Sequence, residues 1–144
     1  MENTSNKKKN TEINIYSIGY KNVLPSELSR IVDDLDATLI DIRYAPTSFS
    51  PFWKKDFLQG LYNDKYLHIK DLGNINFNNN NDIKILDLER GIDNVLNGNF
   101  KNVIFMCACE DLNECHRKII KEYLMKKYSI EMVEIDNDFL SENF

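Results

Sequence analysis

The stretch NVIFMCACEDLNECHRKIIKEYLMKKYSIEMVEI, residues 102–135, decides how this chain is read. Its first six residues, NVIFMC, form an unbroken apolar run, which predicts a strand buried on both faces. ECHRKIIKEYLMKKY then predicts a helix with Ile119, Ile120, Tyr123 and Leu124 on one face, and His116 on the same stripe. IEMVEI, residues 130–135, predicts the last strand.

Working outward, the same alternation recurs. INIYSIGY, residues 13–20, reads as a buried strand ending at Gly19. Pro25 opens a helix with Leu28, Ile31, Val32 and Leu35 at helical spacing. TLIDIR, residues 38–43, is the next strand. Pro46 and Pro51 make YAPTSFSPFW, residues 44–53, a loop. A short helix over residues 54–61 and a strand KYLHI, residues 65–69, follow. LGNINFNNNND, residues 72–82, is a turn-rich loop with an Asn run at 78–81. Residues 82–96 predict a helix with Ile85, Leu88, Ile92, Val95 and Leu96 inward. Apolar strands alternating with helices predict an α/β three-layer sandwich whose mostly parallel sheet has about five strands. The expected single domain covers residues 13–136. A disordered tail is expected over residues 1–12, with Lys7, Lys8 and Lys9 in a row, and a short acidic tail over 137–144.

Composition narrows the class. The 144 residues are 42% apolar and 28% charged, as in ordinary globular domains. No apolar run approaches the roughly 20 residues that span a bilayer, so no membrane partner is expected. Eighteen Lys and Arg against 23 Asp and Glu give a formal charge of −5. That excludes a surface dedicated to nucleic acid and leaves room only for a local basic groove. Three cysteines without an apolar leader point to a reducing cytoplasm and to free thiols or metal ligands.

In open parallel sheets, ligands bind outside the carboxyl ends of the strands. The residues after each predicted strand therefore locate the site. They are Gly19 and Tyr20; Asp41, Arg43 and Tyr44; His68, Gly73 and Asn74; and Cys107, Ala108, Cys109 and Glu110, facing a helix that opens with Cys115, His116 and Arg117. Asp41 lies inside an apolar strand, and an unpaired buried carboxylate is costly, so it needs a partner. The structural reading pairs it with Arg43; the sharper reading makes Arg43 a clamp for a phosphate or carboxylate.

The segment CACEDLNECHR, residues 107–117, leaves three readings open. Cys115 beside His116 and Arg117, at a helix start, suits an activated thiol, with Cys107 or Cys109 as its partner. Cys107, Cys109, Cys115 and His116 would make a Cys3His zinc set. Against zinc stand the C-x-C spacing and the divergence of about 100° between adjacent helical side chains. Small buried thiols filling a tight junction are the third reading. Signatures for dinucleotide, P-loop and serine-hydrolase sites are absent from the sequence.

The ordered set YSIGY, DIRYAPTS, HIKDLGN and CACEDLNECHR, spread over residues 13–135, resembles the domain of unknown function 488 family, in its short form with C-x-C before CHR. The resemblance implies a Rossmann-like α/β domain in the cytoplasm of bacteria and archaea, and no established activity, substrate or cofactor. Its motif positions fall on Gly19, Asp41, Arg43, Pro46, Ser48, Gly73, Asn74, Cys107, Cys115, His116 and Arg117. The loop at 76–82 departs from the family in length and Asn content. Rhodaneses and cysteine phosphatases are a weaker likeness, since the phosphatase C-x5-R interval does not fit any cysteine here.

Two classes of function follow. The first is a small enzyme or binding domain for an anionic small molecule: a nucleotide, nucleobase or phosphorylated metabolite. Arg43 and Arg117 would hold the anion, His116 would move a proton, and Cys107 or Cys115 would be the catalytic thiol. Gly19, Tyr20, Asp41, Ser48, Asn74 and Glu110 would line the ligand, with no cofactor expected unless zinc is bound. The second is a non-catalytic module for nucleic acid or a protein, using Phe49, Phe52, Trp53 and Phe57 around the Pro-rich loop.

Overall fold

Strand β1 spans Asn14–Gly19, β2 Thr38–Asp41, β3 Tyr66–His68, β4 Asn102–Cys107 and β5 Met132–Glu134. They pair in the order β3-β2-β4-β1-β5, and every pairing is parallel. These relations come from a computed structural model that describes residues 11–79, 81–109 and 111–144. The expected N-terminal tail therefore lies almost wholly outside the described residues, as do Glu110 and Asn80; Thr11 and Glu12 are exposed.

The two-residue period of β4 explains the layers. Val103, Phe105 and Cys107 belong to one core, and Ile104 and Met106 to the other. Helices α3 (Leu88–Leu96) and α4 (His116–Tyr128) cover the first face through Ile92, Val95, Leu96, Ile120 and Leu124. Helices α1 (Pro25–Leu35) and α2 (Lys55–Tyr62) cover the second through Leu28, Ile31, Val32 and Leu58. The expected three-layer α/β architecture is what the chain adopts. Among the described residues no helix is long and apolar enough to cross a membrane.

Some expectations about its elements need correction. The helix expected from residue 82 starts at Leu88, because the Asp87 carboxylate accepts a bond from the Arg90 N–H and caps it there. Ile85 instead bridges antiparallel to Asn74. The inward stripe of α4 contains His116, Arg117, Ile120 and Leu124, while Ile119 is exposed. Residues 137–144 are not a tail. Asn137–Asn143 form helix α5, capped by Asp136 through the Phe139 N–H, with Phe139 edge-on to Tyr16 at 5.9 Å. The Asn-rich loop is built from side-chain turns: Asn74 Oδ1 accepts from the Asn76 and Lys84 N–H groups, and Asn79 Oδ1 from that of Asn81.

This topology creates a crevice. Strands β1 and β2 flank β4 and send their helices to one face, whereas β4 sends α4 to the other. The chain thus parts on both sides of the β4 carboxyl end, the condition that opens a ligand crevice in such sheets.

Candidate functional site

At that carboxyl end, backbone approach is close. The Tyr20 N–H donates to the Cys107 carbonyl at 2.9 Å, and the Ile42 N–H to that of Met106 at 3.0 Å. A side chain on Gly19 would begin 1.5 Å from the Cys109 carbonyl oxygen. A side chain on Gly73 would begin 2.5 Å from the Tyr44 Cα. Both glycines are required because a neighbouring backbone occupies the space of a Cβ.

The buried carboxylate of Asp41 is fully partnered. Its Oδ1 accepts from the Arg43 backbone N–H (3.1 Å) and Nε (2.8 Å). Its Oδ2 accepts from Arg43 Nη2 and from the Tyr66 hydroxyl, both at 2.6 Å. Arg43 Nη1 donates to the Tyr20 hydroxyl (3.0 Å) and the Thr47 carbonyl (3.3 Å). Burial works against the Arg43 charge, but Asp41 and Tyr20 outweigh it and raise the pKa. The structural reading of Asp41 is therefore what the fold contains, and the Arg43 guanidinium is engaged on every nitrogen. Burial, with Asp41 next, raises the Tyr66 phenol.

Arg117 repeats the arrangement. It is fully buried, and Nη1 donates to both Glu134 oxygens, at 2.5 and 2.6 Å. Nη2 donates to the Cys109 carbonyl at 3.0 Å, and the buried Ser17 hydroxyl also donates to Glu134. Arg117 Nε has no hydrogen-bond partner among the described residues. Neither arginine is a free cation for a ligand.

Between these ion pairs lie the thiols. Cys107 and Cys115 are buried, with their sulfurs 3.0 Å apart, and Cys109 is half-buried. All three sulfurs lie within 4.8 Å of one another. Cys115 precedes α4 in an extended conformation, φ −129° and ψ 153°, so it does not follow the helical rotation. Its sulfur is 3.6 Å from His116 Nδ1, and His116 Nε2 donates to the Ile42 carbonyl at 2.9 Å. Hydrogen bonds from Cys107 and then Cys109 lower the Cys115 pKa, while those with Cys109 and Cys115 raise that of Cys107. Burial opposes the His116 charge, but bonds to the Cys109 and Cys115 sulfurs, the Cys115 charge and the Ile42 carbonyl push it up to about 9.

Above the thiols is a cavity of about 210 Å³, lined by Tyr20, Arg43, Tyr44, Ala45, Thr47, Asn74, Phe77, Cys107, Ala108, Cys109 and His116. The structure thus gathers Tyr20, Arg43, Asn74, Cys107 and His116 at one cavity, with Asp41, Cys115 and Arg117 behind its walls. Ser48 is not in the lining; its hydroxyl accepts from the Ser50 N–H at 3.2 Å. His68 Nε2 donates to the Arg43 carbonyl at 2.7 Å. Sequence reasoning missed Phe77, Ala45, Thr47, Tyr66 and Glu134. Only Glu134 carried a signal, a carboxylate inside an apolar strand like Asp41. No protein-family model, curated protein or solved structure matches the chain.

Proposed function

We propose that this chain is a small enzyme or binding domain of the domain of unknown function 488 type, working in the cytoplasm on a compact planar molecule of the nucleobase or nucleotide class. The observation that carries this is the cavity at the β4 carboxyl end. Its 210 Å³ falls below the roughly 300–1,000 Å³ that drug-sized ligands fill, which suits a single ring system. Tyr20, Tyr44 and Phe77 place three aromatic rings in its lining, against which such a ring can pack. Asp41 balances the charge of Arg43, so ring stacking outranks ion pairing and the base is favoured over the phosphate. Cys115 is outside the lining and 2% exposed, which favours a thiol cluster beneath the ligand over a nucleophile attacking it.

Trp53 reports on this site. It is the single tryptophan, and it stacks on Tyr20 with centroids 4.4 Å apart. Titrating nucleobases, nucleosides and mononucleotides is expected to give a saturable change in its fluorescence for one class. Ala108→Phe, which fills the cavity from an exposed position, is expected to abolish that change while leaving circular dichroism intact. Equal binding by Ala108→Phe, or no response to any of these compounds, counts against the proposal.

A second reading has one observation in its favour. Phe49, Phe52 and Phe57 are exposed, unlike Trp53, and offer a docking surface for a protein or nucleic acid. The net charge of −5 weighs against nucleic acid. Single-stranded oligonucleotide binding that is lost on Phe49→Ala and Phe52→Ala would favour this reading.

A further inference from the structure

We propose that Cys107, Cys109, Cys115 and His116 form a tetrahedral site for a soft divalent metal ion, zinc in the first place. This is independent of what fills the cavity above.

The first argument is distance. Zn–S bonds of about 2.3 Å and Zn–N bonds of about 2.0–2.1 Å place tetrahedral ligand atoms roughly 3.5–3.8 Å apart. The three sulfurs lie within 4.8 Å of one another, and His116 Nδ1 is 3.6 Å from Cys115 Sγ. To admit an ion, the Cys107–Cys115 pair, at 3.0 Å, must open, and His116, which lies outside the group of sulfurs within 4.8 Å of one another, must move toward it to complete the set.

The second argument is the orientation of the imidazole. A carbonyl oxygen only accepts, so the 2.9 Å contact with Ile42 places the proton of neutral His116 on Nε2. In the neutral imidazole that a metal requires, the Nδ1 lone pair then faces the Cys115 sulfur, 3.6 Å away; in the ion-free chain, with His116 pushed up to about 9, Nδ1 carries the proton that the metal replaces. Metal-bound histidines are held in this way, with the second ring nitrogen donating to a carbonyl or carboxylate.

The third argument is the donor set. Three clustered sulfurs, with the His116 imidazole beside Cys115 and no carboxylate among them, select zinc and similar soft ions over magnesium or calcium. Three thiolates around a dication leave one net negative charge. Arg117 lies close by with its charge balanced by Glu134, and its buried Nε has no partner among the described residues. On binding, the ion replaces the remaining thiol protons and the Nδ1 proton of His116, all of which pass to solvent. A Cys107–Cys115 disulfide is the competing use of these atoms; it would leave Cys109 and the His116 Nδ1 lone pair without a function.

The test is a cobalt(II) titration of the full chain, stripped of metal and fully reduced. One equivalent is expected to bind, with thiolate-to-cobalt charge transfer and the intense visible bands of tetrahedral cobalt. Zinc is expected to displace it. Cys109→Ser, at a half-buried position, is expected to weaken binding at least tenfold. Should that variant fail to fold, alkylation of Cys109, the half-buried thiol, reads the same site in the wild-type chain: zinc is expected to protect it. The proposal is overturned if the reduced chain takes up no cobalt, if the bound cobalt is octahedral, or if zinc leaves thiol alkylation unchanged.

Discussion

The carbonyl oxygen of Cys109 stands 1.5 Å from the point where a side chain on Gly19 would begin. The contact brings the turn after β4 onto the end of β1, and it places Cys109 over the sulfurs of Cys107 and Cys115. Arg117 Nη2 donates to the same carbonyl at 3.0 Å and lies 2.9 Å from that same point.

Gly19→Ala therefore forces the Cys109 backbone to move. Overpacking of this kind costs typically 1–3 kcal/mol, and a backbone obstacle puts the expected loss at about 3 kcal/mol. Urea unfolding measures it. A loss below about 0.5 kcal/mol, the level of an inert surface change, would show that the turn adapts freely.

The Asp41–Arg43 pair predicts an unequal mutational pattern. Arg43→Met leaves a buried carboxylate without its cation, at an expected cost of about 3–5 kcal/mol. Tyr66→Phe removes one of four bonds to that carboxylate, with an expected cost of about 1.5–3 kcal/mol. Equal losses, or a smaller one for Arg43→Met, would mean that the pair does not carry the Asp41 charge.

Alkaline pH should weaken the fold through two phenols. Burial, with a push from Asp33, raises Tyr62 to about 12, against the pull of its Ser29 bond; burial and Asp41 raise Tyr66 as well. Both folded values exceed the ordinary 10, so the unfolded chain loses these protons first. Their stabilisation is complete below pH 10 and declines from there as pH rises. Urea midpoints measured upward from pH 9 are expected to fall, and Tyr62→Phe should flatten the fall. An unchanged slope in that variant would remove Tyr62 as a source.

The elements were largely legible because they follow from local pattern. The apolar run 102–107 is a central strand in this fold wherever its partners lie, and the helical spacing of Leu28, Ile31 and Val32 needs no tertiary knowledge. Errors came where a local cap or a distant surface intervened. Asp87 ends the extended segment that residues 82–87 would otherwise have given to α3. Helix α5 has too few apolar residues to show itself, and it is placed by the contact between Phe139 and Tyr16.

The site was legible as a list, not as an arrangement. Strand-end logic gathered both arginines, the three cysteines and His116, since parallel strands carry their carboxyl ends to one rim. Sequence alone determined that rim and the alternation that builds it. The tertiary structure decided what each group does there. Arg43 turns back onto Asp41, and Arg117 crosses to Glu134, because a buried charge takes the nearest opposite charge that packing allows. Were Cys115 and His116 neighbours on a helix, their side chains would diverge by about 100° and could not share a ligand. Cys115 instead sits in extended backbone before the first turn, and its sulfur swings toward Cys107. Only the meeting of β4 with the start of α4 brings those atoms together.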